Sequence, residues 1–264
     1  MVLIGYILSI LIGVTLGLIG GGGSILTVPV LVYIFHEEAV TATSYSLFIV
    51  GITSMFGSVA YFKKGLVNLK TAVIFGIPSI IAVFITRLYV VPALPSKLFS
   101  IGIFLITKNI FLMLLFAILM IAASYSMIKP VKEKIDVVLK KQPLNYPLIF
   151  LQGAIEGTLT GFVGAGGGFL IIPALVVLSK LPMKEAVGTS LVIISVKSLL
   201  GFYASSSVMH IEWGLILSIS AFAVLGIFIG MLLSKKIEGA KLKPAFGWFV
   251  LVMGVYIILR ETFF

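Results

Sequence analysis

Two stretches of the chain, Gly17–Leu31 and Gly161–Leu175, repeat one pattern of glycines, apolar residues and a proline. They align without gaps at a shift of 144 residues, and seven of the fifteen aligned positions are identical. The similarity continues, after one small gap, from Ala39–Ser44 into Ala186–Ser190. Because glycine clusters break helices, a cluster placed twice inside apolar sequence predicts a membrane protein built from two copies of one unit, an organisation typical of transporters.

The composition indicates a membrane location. Of the 264 residues, 60% are hydrophobic and only 11% are charged, and the mean hydropathy is +1.25. Soluble domains of this size carry more charge, so the chain is predicted to be a polytopic membrane protein. The net charge of +10 would suggest nucleic acid in a soluble protein, but here Lys and Arg cluster in short loops between apolar segments, as topology signals do. We therefore expect the lipid bilayer, and no nucleic acid, as a partner.

The chain has no cysteine, which excludes disulfides, thiolate chemistry and cysteine-based metal sites. His36 and His210 both fall in predicted loops outside the membrane, so we expect neither a metal site nor a cofactor. The N-terminus lacks a basic segment and runs directly into the first repeat, so we expect no cleavable signal peptide.

Apolar segments of about 20 residues are needed to cross the hydrocarbon core. Six segments fit one crossing each: about Ala39–Phe62, Leu69–Val90, Asn109–Ile128, Ala186–Ser207, Trp213–Leu233 and Ala245–Thr262. The two glycine segments, Val2–Phe35 and Tyr146–Leu178, are 33 or 34 residues long. As one helix each would measure roughly 50 Å, too long for one crossing of a core of about 30 Å and too short for two. A re-entrant hairpin that turns at the glycines resolves the misfit, and it places Pro29 and Pro173 early in a short second half-helix.

The distribution of Lys and Arg supports the hairpins. With eight ordinary crossings the basic residues divide nine to eight between the two sides, leaving Lys108 and Lys197 aside. With both glycine segments re-entrant they divide fourteen to three, which is a strong positive-inside signal. Both termini, His36 and His210 are then outside, and the central basic linker is cytoplasmic.

The predicted fold is therefore an all-α polytopic membrane protein made of two inverted-topology repeats. Each repeat is a broken re-entrant helix hairpin followed by three transmembrane helices. Residues 1–128 form the first repeat, residues 129–145 a basic cytoplasmic linker and residues 146–264 the second repeat. Paired broken helices in inverted repeats place a substrate site near the membrane midplane between them.

The doubled motif Gly-x-x-Gly-x-Gly-Gly followed by a proline six residues later resembles the TauE/SafE sulfite exporter family. The resemblance extends to the length, the number of segments, the Thr-Ser pair that opens the next helix and the basic central loop. It implies a permease of the cytoplasmic membrane that moves sulfite or organosulfur anions such as sulfoacetate. One departure is that Gly21 and Ser24 in the first copy correspond to Ala165 and Gly168 in the second.

The glycine clusters are the first candidate substrate site. A turn inside the membrane must direct its N–H groups towards protein or water, and successive N–H groups at a half-helix N-terminus form a cradle for an anion. The alternative is close helix packing through small residues. Hydroxyl groups beside the breaks could add donors, or could instead bond backbone carbonyls or cap helices. The predicted substrate-binding residues are Gly20, Gly21, Gly22, Gly23, Ser24, Thr43, Ser44, Gly164, Ala165, Gly166, Gly167, Gly168, Thr189, Ser190 and Lys197.

Lys197 lies in the middle of an apolar segment, where a charge costs about 2.5–3.5 kcal/mol to insert. It needs a partner inside the bundle, and Glu156 is the acidic residue at comparable depth. The two residues form a structural ion pair, or one of them binds substrate or carries a coupling proton. Arg87 is expected near the outer end of its helix, as an interface anchor or an attractor of anions at the exit. Lys108 is expected at the outer interface, extending its amine towards water.

The leading functional hypothesis is a secondary or facilitative permease for small anions and not an enzyme. The chain has no Walker motif, so it has no ATPase of its own. A permease for a cation or a neutral solute is favoured if Glu156 rather than Lys197 faces the pathway. An intramembrane hydrolase with Ser24 as nucleophile is a remote alternative, because no histidine base is embedded beside it.

Overall fold

The computed structural model describes residues 2–21, 23–101, 104–128, 146–177, 179, 181–206, 209, 211–234 and 239–263. Gly22, His210 and the predicted linker 129–145 lie outside the described residues. The helices of the first half are α1 (Val2–Ile19), α2 (Ser24–Tyr33), α3 (Ala39–Lys63), α4 (Leu69–Ile85), α5 (Val91–Ala93) and α6 (Lys108–Ile128). Those of the second half are α7 (Tyr146–Val163), α8 (Gly168–Val177), α9 (Met183–Ser206), α10 (Trp213–Leu233) and α11 (Gly239–Phe263).

The long apolar helices agree with the predicted crossings. Within the described residues, five helical stretches are long and apolar enough to span a membrane: Ala39–Lys63, Leu69–Ala93, Lys108–Tyr125, Met183–Ser206 and Trp213–Leu233. Helix α11 occupies the position of the sixth predicted crossing. Strips of large apolar side chains remain exposed on these helices, as expected for surfaces that face lipid.

Both glycine segments are broken helices, as the sequence predicts. Helices α1 and α2 begin and end at residues that correspond, at the shift of 144, to the first and last residues of α7 and α8. Each short half-helix has ten residues, which is about 15 Å or half of the hydrocarbon core.

The positions of the two prolines differ from the prediction. The sequence predicts Pro29 and Pro173 early in their half-helices, but each is the sixth residue. A proline there removes an internal helical hydrogen bond instead of occupying a position whose N–H is unpaired anyway. Both half-helices therefore lose the same backbone bond at the same place.

The two halves pack against each other in a reciprocal way. Helix α1 packs on α10 and its counterpart α7 packs on α4, while α3 pairs with its counterpart α9 and α6 with α11. Exchanging the halves leaves this set of contacts unchanged, as a pseudo-two-fold relation requires. The inverted orientation of the repeats within the membrane stays a prediction.

Glycines bring the paired helices into backbone contact. A Cβ on Gly13 would lie 2.8 Å from the carbonyl carbon of Ala223 in α10, and a Cβ on Gly157 would lie 2.8 Å from the Cα of Ser79 in α4. The first glycines of the sequence motif, Gly17 and Gly161, belong to these same seams. The small-residue packing considered for the motif therefore applies to its first glycine in each copy.

A small β-hairpin between α5 and α6 is an addition to the predicted all-α fold. Strands β1 (Lys97–Ile101) and β2 (Phe104–Thr107) pair antiparallel, with Lys97 opposite Thr107 and Ile101 opposite Phe104. The two strands satisfy their backbone groups locally, as a connection at the end of a membrane helix requires.

Candidate functional site

The two glycine breaks contact each other in the interior of the bundle. A Cβ on Gly168 would lie 2.5 Å from the Cα of Gly21, and the described residues of both breaks are buried. There is no space between the two backbones for a side chain. Gly168 is the first residue of α8, and Gly21 lies three residues before α2 begins, so the positive ends of two helix dipoles lie close to one place.

Glycine is needed at these breaks for its backbone conformation as well as for space. Four of the described residues of the breaks have a positive φ: 77° at Gly20, 72° at Gly164, 64° at Gly166 and 67° at Gly167. Gly20 and Gly164 each follow the last residue of a half-helix and donate to the carbonyl four residues earlier, at 2.7 and 2.8 Å respectively. This left-handed C-terminal turn is one that residues with a Cβ rarely adopt.

Hydroxyl groups of the predicted site hold the first break in place. Ser24 donates to the carbonyl oxygen of Gly21 at 2.7 Å, and Ser190 lies 3.2 Å from that of Gly20. Thr189 accepts a hydrogen bond of 2.9 Å from the backbone N–H of Asn68. In this conformation these hydroxyls bond the protein, and their use as donors to a substrate stays a prediction.

The other Thr-Ser pair lies beside the second break. Thr43 and Ser44 donate to the carbonyl oxygen of Val40 at 2.8 and 3.1 Å. A Cβ on Gly164 would lie 2.6 Å from the Cα and the carbonyl carbon of Thr43. The start of α3 and the second glycine break are thus in direct backbone contact.

Arg87 is placed differently from the expectation of an outer anchor. It lies in a π-helical turn, Thr86–Val90, and only 2% of it is exposed. Its Nη1 atom donates to the hydroxyl oxygens of Thr43 and Ser44, each at 3.1 Å, while its Nε and Nη2 atoms have no hydrogen-bond partner. The available sequence signal was its position inside the predicted crossing Leu69–Val90, where an arginine faces the bundle interior.

Lys197 and Glu156 form the expected ion pair beside the second break. The ammonium group of Lys197 donates to Oε1 of Glu156, and the two side chains are 0% and 4% exposed. Thr160 donates to the same carboxylate at 2.7 Å and Ser79 donates to its other oxygen at 2.7 Å. A Cβ on Gly167 would lie 2.7 Å from Nζ of Lys197.

The charge of Lys197 is thus compensated by Glu156, whereas the charge of Arg87 has no counter-charge among the described residues. With both carboxylate oxygens bonded within the protein, the geometry does not favour a cation pathway at Glu156. Whether the pair also acts in transport stays a prediction. Lys108 begins α6 and is partly exposed, and its position at the outer interface stays a prediction.

Comparison with known proteins identifies relatives along almost the whole chain. The family model described as sulfite exporter TauE/SafE matches residues 6–257. A probable membrane transporter protein of Xylella fastidiosa is 30% identical over 259 residues, which is 95% of this chain and 92% of that protein. The probable membrane transporter protein YunE of Bacillus subtilis is 27% identical over 275 residues, which is 97% of each. No solved structure matches the chain.

The names of these relatives bear on the class of activity. They describe membrane transporters and not enzymes, which confirms the corresponding prediction. In the described structure Ser24 donates its hydroxyl hydrogen to a backbone carbonyl, an arrangement that does not prepare it for nucleophilic attack.

Proposed function

The chain belongs to the sulfite exporter TauE/SafE family of multi-pass membrane transporters, and from that premise we propose that it moves small anions through the paired glycine breaks. The substrate class proposed is sulfite or an organosulfur anion. The observation that carries this is the buried contact of Gly168, the first residue of α8, with Gly21, which lies three residues before α2 begins. Their dipoles direct partial positive charge at one place, and glycines let an anion approach main-chain N–H groups.

The proposed binding residues are the predicted set, held mainly by the two breaks. Gly20–Ser24 and Gly164–Gly168 would supply N–H groups, with the two Thr-Ser pairs beside them. In the described conformation the breaks are closed on each other. Transport therefore requires the halves to separate at this contact, with the breaks exchanging their mutual contact for the anion.

A flux assay tests the proposed function directly. Purified protein in liposomes should carry sulfite, thiosulfate or a sulfonate but not an uncharged solute of similar size. A Gly166→Ala variant should remain folded and lose anion flux, since a Cβ there would enter the break 2.6 Å from a methyl group of Val50. Flux of uncharged solutes without anion flux would contradict the proposal.

Gly65→Ala is the matched control for that variant. Gly65 also has a positive φ, 67°, but no atom lies within 4 Å of the position of a Cβ. It carries the conformational strain without touching the breaks, so its flux should equal that of the wild type. Folded Gly166→Ala protein that binds the anion with native affinity would falsify the proposal that the glycine breaks bind the anion.

The inverted topology is a separate part of the proposal and has its own test. The native chain contains no cysteine, so single introduced cysteines can be labelled without background. Position 36 should react from outside and position 132, in the linker, from the cytoplasm. Labelling of both positions from the same side would contradict the re-entrant hairpins.

A further inference from the structure

Arg87 is the buried charge that the described contacts leave uncompensated. Its side chain has no carboxylate within ion-pair distance in the described part of the chain, and its only described hydrogen bonds are to two neutral hydroxyls. A guanidinium group stays protonated at neutral pH, and a buried charge without a counter-charge is strongly unfavourable. In membrane proteins such a residue marks the path of a charged ligand.

The geometry of the free atoms selects the chemistry of that ligand. Nε and Nη2 are the two atoms without partners, and their N–H bonds run parallel along one edge of the guanidinium plane. This edge binds two oxygen atoms of one planar or pyramidal oxyanion with two parallel hydrogen bonds. Nη1, on the opposite edge, is held by Thr43 and Ser44, so the plane is fixed before a ligand arrives.

The position of the free edge connects it to the proposed pathway. Thr43 contacts Gly164 through its backbone, so the arginine is one residue removed from the second glycine break. Lys197 lies beside the same break, but its charge is matched by Glu156. Of the two embedded cations in the described residues, Arg87 is the one able to neutralise a substrate.

We propose that Arg87 is the substrate-binding cation of this transporter, taking two oxygens of one sulfite, sulfonate or similar oxyanion on its Nε–Nη2 edge. Thr43 and Ser44 are then positioning residues that orient the guanidinium group. The inference rests on the proposed anion transport and replaces Lys197 in the predicted substrate-binding set.

The position of the second half that corresponds to Arg87 carries no charge. Gly161 packs on Thr86, and its counterpart Gly17 packs on Gly230 and Met231. At the shift of 144, Met231 occupies the position of Arg87. One fixed positive charge therefore serves the paired breaks, which suits one monoanion at a time.

Binding of sulfite and of methanesulfonate to the purified protein tests the inference. Wild-type protein should bind both. Arg87→Met, which copies the residue of the second half, should lose on the order of 100-fold in affinity because two charge-assisted hydrogen bonds disappear. Arg87→Lys keeps the charge but lacks the two parallel N–H donors of the guanidinium edge, so its affinity should fall on the order of 10-fold. Lys97→Met, which removes an exposed cation in β1, should bind as the wild type does.

Thermal stability separates a binding role from a structural one. Without anion, Arg87→Met should be at least as stable as the wild type, because an uncompensated buried charge is gone, and added sulfite should no longer stabilise it. Failure of Arg87→Met to fold, or native affinity in folded Arg87→Met, overturns the inference. If the wild type itself binds none of these anions, the proposed function fails instead.

Discussion

The two glycine breaks have the same backbone hydrogen bonds, but the charged groups around them differ. Gly20 after α1 and the equivalent Gly164 after α7 each donate a backbone hydrogen bond to the carbonyl oxygen four residues earlier, at 2.7 and 2.8 Å. Beyond the half-helices, Glu37 N–H donates to the carbonyl oxygen of Leu31 at 3.0 Å, and Leu181 N–H donates to that of Leu175 at 3.1 Å. These pairs are all related by the shift of 144 residues. The duplicated scaffold is thus retained at the level of individual hydrogen bonds.

Side chains around the breaks have diverged. Beside the second break, the carboxylate of Glu156 adjoins Gly167, whereas the corresponding Gly23 of the first break adjoins the backbone carbonyl oxygen of Ile12. Arg87 reaches the second break through Thr43, and the corresponding position of the other half is Met231. The three embedded charges of the described residues, Arg87, Glu156 and Lys197, therefore lie around the second break. The two breaks thus have the same backbone shape, and the charges contributed by both halves lie around the second break, an asymmetric arrangement that suits a single anion.

The largest expected effect tests the ion pair that the first break lacks. Glu156→Gln or Lys197→Met alone should cost about 3–5 kcal/mol, because each leaves one buried charge unpaired. The double variant should recover most of that stability, since no charge remains. Thermal midpoints and yields of the four proteins in detergent measure this coupling.

Lys184→Met is the matched control for these variants. It removes an exposed lysine from the first turn of the same helix, α9, and should leave stability unchanged. A Lys197→Met protein as stable as the wild type but without anion flux would assign the pair to transport and not to folding.

A second prediction compares the closing glycines of the two breaks. Gly20→Ala and Gly164→Ala share a positive φ, which costs a residue with a Cβ about 1–2 kcal/mol. At Gly20 the new methyl group meets the side chain of Val187, whereas at Gly164 it meets the backbone of Thr43, which is less able to move. Overpacking should add about 1–3 kcal/mol at each position, with the larger value at Gly164. Equal thermal midpoints for the two variants would contradict the difference between the breaks.

Much of this frame is predictable from the sequence because its cause is local. Glycine clusters in apolar sequence determine where helices break, and the half-helix bounds follow the repeat residue by residue. The depth and pairing of Lys197 and Glu156 also follow, because a charge inside an apolar segment must find a partner. The contact between Lys197 and Glu156 requires only that their helices, α9 and α7, lie close together.

The surroundings of Arg87 are not predictable in the same way. Its burial depends on a π-helical turn and on hydroxyls from α3, more than forty residues earlier in the chain. Its position inside the predicted crossing indicates that it faces the bundle interior, but only tertiary packing determines which groups it contacts there. The β-hairpin before α6 is a similar case, because its pairing is between strands too short to show a pattern.

A third prediction concerns a feature in which the halves agree. Gly13 and Gly157 correspond at the shift of 144, and each lies against the backbone of its partner helix. Replacing either by alanine should cost about 1–3 kcal/mol through overpacking, with similar values for the two. Thermal midpoints measure this, and a large difference between Gly13→Ala and Gly157→Ala would show that the two seams are not equivalent.

The smallest expected effect lies at the loops that follow the short half-helices. The pKa of Glu37 is raised above its ordinary value by partial burial and then by the neighbouring carboxylates Glu212 and Glu38. The folded state therefore holds this proton more tightly than the unfolded chain, and stability falls as pH rises from the ordinary to the raised pKa. Leu181, at the corresponding position, has no such dependence. Glu37→Gln should accordingly raise the thermal midpoint at neutral pH and leave it unchanged below the ordinary pKa of a glutamate. A stabilisation that is the same at both pH values would show that the charge of Glu37 is not its cause. The loops at Glu37 and Leu181 would then differ in packing and not in the pH dependence of their stability.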